Sequence, residues 1–159
     1  MEKDSKILKI EGARIIFRNF SGKKTDFNRE GDRNFCLVLD EKTASTLRKD
    51  GWNVKELRPR DPEDDKTYYI QVAVKYSNRP PKIYLVAGKK PTLLDEANIS
   101  VLDTAEIKNV DITINPYHWE AQGKSGIKAY ANTMYVTIED DPFREKYEEL
   151  ENDEDDYPF

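Results

Sequence analysis

Cationic and aromatic side chains crowd together at three places in this chain. The densest cluster holds Arg14, Phe17, Arg18, Phe20, Lys23, Lys24, Phe27, Arg29 and Arg33. A second holds Lys75, Tyr76, Arg79, Lys82 and Tyr84, around Ser77-Asn78-Arg79-Pro80-Pro81. A third holds Tyr117, His118, Trp119, Lys124, Lys128 and Tyr130. Lysine and arginine neutralise backbone phosphates, and that attraction weakens with salt. An aromatic ring stacks on any base for about 1–3 kcal/mol, with no demand on sequence. Together these groups suit a single-stranded polyanion with flat bases. The candidate contacts are Arg14, Arg18, Phe20, Lys23, Lys24, Phe27, Arg29, Lys75, Tyr76, Arg79, Lys82, Tyr84, Tyr117, Trp119, Lys124, Lys128 and Tyr130. Lys128 and Tyr130 share a strand phase, which puts a charge beside a ring.

Each residue type also has a plainer use. Phe17, Phe35 and Trp52 suit a core. Tyrosines between residues 68 and 76 suit strand propensity. Lys23 and Lys24 suit a solvated loop, and His118 beside Trp119 suits packing.

Catalytic patterns are absent from the sequence. His118 is the only histidine and Cys36 the only cysteine, which excludes the usual cysteine/histidine zinc sites. A lone cysteine makes no internal disulfide, and Cys36 between Phe35 and Leu37 reads as a buried, inert thiol. No nucleophile elbow supports a serine triad. Gly123-Lys124-Ser125 lacks the glycine-rich run of a phosphate loop. Asp61, Glu63, Asp64 and Asp65 sit among prolines, where solvated charge is the simple account. The expectation is a binding protein with no cofactor and no metal. A carboxylate-dependent nuclease is one alternative.

Charge is divided along the chain. Residues 139–159 carry 11 acidic and 2 basic residues, a net of −9, and residues 1–138 carry a net of +4. Such a segment has little apolar area to bury and repels itself, so a disordered tail is expected. It ends in Asp155, Asp156, Tyr157, Pro158 and Phe159, a hydrophobic hook on a charged stalk whose terminal carboxylate is expected to be free. No stretch has the length and apolarity of a signal peptide or membrane span. The chain is expected to be soluble and cytoplasmic.

The elements that must position these groups are mostly strands. Residues 7–20 form a long strand with a bulge or bend at Gly12. Residues 21–32 form a polar, basic loop and residues 33–39 a second strand. Residues 40–49 form a short helix with Asp40 as N-cap and Ala44 and Leu47 inward. Residues 52–57 form a short strand and residues 58–66 a loop. Residues 68–76 and 82–87 alternate on either side of a turn and read as a hairpin. Residues 93–98 suggest a few helical positions. Residues 107–115 put Val110, Ile112 and Ile114 inward, and Asn115-Pro116 reads as the start of a turn or bend. A last hairpin joins residues 117–120 and 127–139, and residues 143–150 suggest a helical turn. Six or seven strands with one minor helix predict an all-β small antiparallel barrel or sandwich with elaborated loops. The domain is expected over residues 7–140, followed by the tail, 141–159.

Two sets of residues resemble known families. Asp155, Asp156, Tyr157, Pro158 and Phe159 resemble the C-terminal tip of bacterial single-stranded DNA-binding proteins, with Tyr157 in place of an aliphatic residue. The body, about residues 8–140, resembles the single-stranded DNA-binding proteins of tailed phages and prophages. The likeness lies in residues 11–22 and 27–35, Lys49-Asp50-Gly51-Trp52-Asn53-Val54-Lys55, residues 77–82, and Asn115-Pro116-Tyr117-His118-Trp119. The resemblance implies an OB-fold that coats single-stranded DNA in phage replication or recombination in a bacterial host. It also implies a tail that docks on a polymerase, primase, helicase, recombinase or nuclease. A homodimer would add stacking sites. The competing expectation is an interaction or decoy module of similar fold that binds host replication partners without DNA.

Overall fold

A computed structural model of the chain describes residues 7–77 and 79–139. Asn78 and the acidic tail, including the helical turn expected at residues 143–150, lie outside the described residues. Eight strands occur among the described residues: β1 (Leu8–Asn19), β2 (Arg33–Leu39), β3 (Lys55–Leu57), β4 (Thr67–Val74), β5 (Lys82–Ala87), β6 (Lys90–Leu94), β7 (Ile107–Ala121) and β8 (Lys124–Ile138). Helix α1 spans Glu41–Lys49, and a 3-10 turn spans Ile99–Asp103.

The pairing closes a small barrel. β1 lies antiparallel between β2 and β7, β2 pairs antiparallel with β4, and β7 with β8. β8 then meets β4 in parallel, Val72 opposite Ala129 and Ala73 opposite Tyr130. The circuit β1–β2–β4–β8–β7 is a five-stranded barrel with OB-fold connectivity. Its interior follows the period-2 alternation of the strands. Phe35 and Leu37 on β2, Val72 on β4, Val110 and Ile114 on β7, and Met134 and Val136 on β8 are all fully buried. Helix α1 has the expected cap: the Thr43 N–H donates to the Asp40 carboxylate at 2.6 Å, and Ala44 and Leu47 are buried.

β1 bends as its sequence suggests. Gly12 has φ +64, and the register against β7 shifts between Ile10 and Ala13. A second shift, against β2, falls between Ile16 and Asn19, where Phe17 has φ +51.

Three readings are corrected. β4 and β5 are not a hairpin: β5 pairs in parallel with β8 and antiparallel with β6. Both edges of β4 are already taken, by β2 on one side and by β3 and β8 on the other. Alternation reveals a strand's faces, not its neighbour. The residues near 93–98 do not start a helix; Lys90–Leu94 is an edge strand, and the 3-10 turn comes later. Asn115-Pro116 is no turn either. β7 continues to Ala121, with Pro116 opposite Ala129. β1 leaves β7 after Ile114, so Pro116 lies on a free edge where its missing N–H costs no ladder bond.

Candidate nucleic-acid interface

Beyond Ile114 and before Ala129 the β7–β8 hairpin has, among the described residues, no third strand along either edge except an isolated bridge from Trp52 to Ile127. It therefore projects as a two-stranded arm. The register places Asn115 opposite Tyr130, Tyr117 opposite Lys128 and Trp119 opposite Gly126. Alternation puts all six on one face. The Lys128 ammonium lies 5.3 Å from the centre of the Tyr130 ring, and Tyr117 meets Tyr130 edge-on at 6.3 Å. The shared phase read from the sequence is thus realised. Trp119 rests against Gly126 so closely that a Cβ there would lie 2.9 Å from the indole. Gly126→Ala must displace that ring or open the arm. It is expected to lower unfolding stability by about 1–3 kcal/mol in urea denaturation. Unchanged stability together with an unchanged near-ultraviolet dichroism signal would show that the ring does not rest there.

Facing the arm is the loop of residues 20–32. Its base is fixed to the 3-10 turn from two directions. The Arg18 guanidinium donates to the carbonyls of Leu102 and Ala105 at 2.8 and 2.7 Å. The Asp103 carboxylate accepts from the N–H groups of Phe20 and Ser21 at 2.6 and 3.0 Å. Within the loop, the Asn28 amide donates to the carbonyls of Lys23, Arg29 and Asp32. The Gly31 N–H donates to the Gly22 carbonyl at 2.8 Å. Gly22 has φ +71, and a Cβ there would meet the Gly31 backbone at 3.0 Å, so this crossing admits only glycine without strain. A loop held this way presents its tip, Phe27, at 98% exposure.

Loop, β4 and arm enclose an open cleft of about 1100 Å³. Arg29, Arg33, Lys75 and Lys128 line it against Asp32 and Glu96, so its lining is net cationic. The rings of Phe27, Trp52, Tyr76, Trp119 and Tyr130 are spread along its walls. Two buried side-chain atoms lack a hydrogen-bond partner among the described residues, Arg33 Nε and the Tyr76 hydroxyl, and both residues line this cleft. Among the described residues the Arg33 guanidinium makes only long contacts, to Glu96, 3.5 Å to its carbonyl and 4.0 Å to its carboxylate. Burial raises the Tyr76 phenol above its usual pKa, and the nearby Arg33 charge only partly opposes this. The hydroxyl therefore keeps its proton at neutral pH and is a donor. Leaving such groups unpaired is costly unless something from outside completes them.

The candidate contacts divide. Phe27, Arg29, Lys75, Tyr76, Trp119, Lys128 and Tyr130 line the cleft. Tyr117 stands beside Tyr130, and Lys124 is at the arm's tip. Lys23 and Lys24 are exposed on the loop, outside the lining. Phe20 is fully buried and stacked on Phe35 at 5.2 Å, leaving no face for a base. Arg18 is half-buried and bonded to two carbonyls, so it positions the loop rather than reaching a ligand. Arg14 is exposed on the outer side of β1. Lys82 and Tyr84 lie on β5 and Arg79 just before it, none of them in the cleft lining, and Tyr84 stacks on Tyr135 at 4.8 Å. Asp155, Asp156, Tyr157, Pro158 and Phe159 lie outside the described residues. Arg33, Trp52 and Gln71 line the cleft without having been candidates. Only Arg33 carried a signal, its place at the end of the first cluster.

Among the described residues no group of three or more His, Cys, Asp or Glu is placed to hold a metal ion. Cys36 is buried, and burial raises its thiol pKa, which keeps it protonated and unreactive. No described helix is long and apolar enough to cross a membrane.

Residues 2–157 match the family model described as "Putative phage ssDNA-binding domain". No protein with a curated description matches. Among solved structures, the single-stranded DNA-binding protein of bacteriophage Enc34 in complex with ssDNA has 13% sequence identity and a TM-score of 0.56, over 86% of this chain and 89% of that one. A C-terminal truncation of the same phage protein gives 13% identity and a TM-score of 0.55, over 86% and 88%. At such identity the likeness is one of fold.

Proposed function

This chain belongs to the family of phage single-stranded-DNA-binding domains, and from that premise we propose that the cleft between the loop, β4 and the arm is where it holds single-stranded DNA. The supporting observation is the pair of buried groups, Arg33 Nε and the Tyr76 hydroxyl, without partners among the described residues. A phosphate in the cleft supplies acceptors to the Arg33 guanidinium and the Tyr76 hydroxyl, reached as the side chains over these buried atoms shift on binding. Arg29, Lys75 and Lys128 bracket the backbone, and Trp119, Tyr130 and Phe27 stack on bases. None of these groups reads a base edge in a fixed pattern, so binding is independent of sequence. The protein coats and protects single strands during phage replication or recombination, in the host cytoplasm, without catalysing a reaction. The acidic end, Asp155 to Phe159, recruits replication or repair proteins to the coated strand. Two copies side by side extend the set of stacking rings.

Titration of fluorescent oligonucleotides with the full chain tests this. Single strands of unrelated sequence should bind alike and more tightly than duplex, with log affinity falling linearly with log salt. Arg33→Met should weaken binding roughly tenfold at low salt and flatten the salt slope by about 0.7, the loss of one phosphate contact. Equal affinity for duplex would sink the single-strand reading of the cleft, and no binding at all would favour a module that docks only on proteins.

A further inference from the structure

An aromatic pair outside the cleft continues its surface. Tyr69 lies on the same face of β4 as Gln71, which lines the cleft, two residues or about 6.6 Å further along the strand. Phe17 on β1 reaches Tyr69 edge-on, with ring centres 6.0 Å apart and planes at 76°. β2 runs between β1 and β4, so the two rings bridge over it. Beneath the bridge Cys36 faces outward, opposite Ile16 and Gln71, and is still only 7% exposed.

Phe17 holds this place at a cost. Its φ of +51 belongs to the left-handed region that glycine occupies freely and phenylalanine rarely. Strict alternation after Ile16 would turn the Phe17 ring inward. The register shift between Ile16 and Asn19 keeps it on the surface instead, 59% exposed. A ring serving the core needs no such device, and a plain surface bulge favours glycine. Backbone strain retained at an exposed aromatic points to a ligand. Two cations flank the pair. Lys55 is exposed and pairs with Tyr69. Arg14, opposite Val38, is exposed on the same outer face.

We propose that Phe17 and Tyr69, flanked by Lys55 and Arg14, form a second base-stacking station that carries single-stranded DNA from the cleft across β2 to β1. The proposal rests on the cleft reading and extends it. The cleft holds one stretch of the strand, and this station holds the next.

Oligonucleotide length separates the two. Phe17→Gly removes the ring and relieves the backbone, so its melting temperature should equal or exceed that of the original protein. A short oligonucleotide of about 5 nucleotides, enough for the cleft alone, should bind as before. One of about 16 nucleotides should lose roughly ten- to a hundredfold in affinity. Tyr69→Ala should show the same dependence on length, which guards against a folding defect particular to the bulge. Equal loss at both lengths, or no loss at either, overturns the station and leaves the cleft standing. Failure of the unaltered protein to bind even the short oligonucleotide overturns the cleft, and the station with it.

Discussion

Trp119→Ala is expected to weaken single-stranded DNA binding roughly ten- to a hundredfold, while lowering stability by no more than the about 1–3 kcal/mol expected when Gly126→Ala displaces the same ring. The ring is 39% exposed on a two-stranded arm, outside the barrel core. Its removal therefore opens no cavity in the interior, and the usual cost of a large-to-small core change does not apply. One ring face is backed by Gly126, which fixes its orientation before any base arrives. A ring held in place loses little freedom on binding, so most of the about 1–3 kcal/mol available from stacking on a base appears as affinity. The loss should also persist at high salt, because stacking releases no counterions. Losses from Arg33→Met or from Lys128→Met should instead shrink as salt rises. Anisotropy titrations at several salt concentrations distinguish these cases. A change below about twofold at every salt concentration would remove Trp119 from the interface.

The contrast between Phe20 and Phe27 shows what the sequence could convey about this site. Both sit in the same cationic cluster, and nothing in their local sequence ranks one above the other. The fold buries Phe20 completely and exposes Phe27 at 98%. What decides is the pair of contacts from Arg18 and Asp103, which join residues more than eighty positions apart. Lys128 and Tyr130 were legible because strand alternation is local, and Val110, Ile112 and Ile114 were legible for the same reason. Arg33 was harder to place, because its importance lies in a buried Nε with no acceptor among the described residues. The partners of β5 were illegible in principle: a parallel pairing with β8 brings together residues fifty-one positions apart, as in Lys82 and Thr133. Barrel closure by β4 and β8 is non-local in the same sense. Phe17 suits either the cationic cluster or a core from its sequence, whereas its exposed position follows from a register shift that no periodicity displays.

Deleting residues 140–159 is expected to tighten DNA binding on the order of tenfold at low salt, and to leave it nearly unchanged at high salt. The deletion takes the formal charge from −5 to +3. The deleted acidic residues carry the same sign of charge as a DNA backbone, so the expectation is that the two compete for Arg29, Arg33, Lys75 and Lys128 in the cleft. Competition by a tethered anion acts as a high local concentration and does not depend on how much protein is present. Dissociating it before DNA can bind costs affinity, and that cost vanishes as salt screens the cleft. At 1 M ionic strength the screening length is about 3 Å, so the two forms should converge. The truncated protein should accordingly show the steeper dependence of log affinity on log salt. Displacement would have a second consequence: with DNA in the cleft, Asp155 to Phe159 would be free for the proposed protein partner, so partner binding should be stronger with single strands present than without. Identical affinities for the full and truncated chains at every salt concentration would show that the acidic segment never occupies the cleft, and partner binding would then have to be independent of DNA.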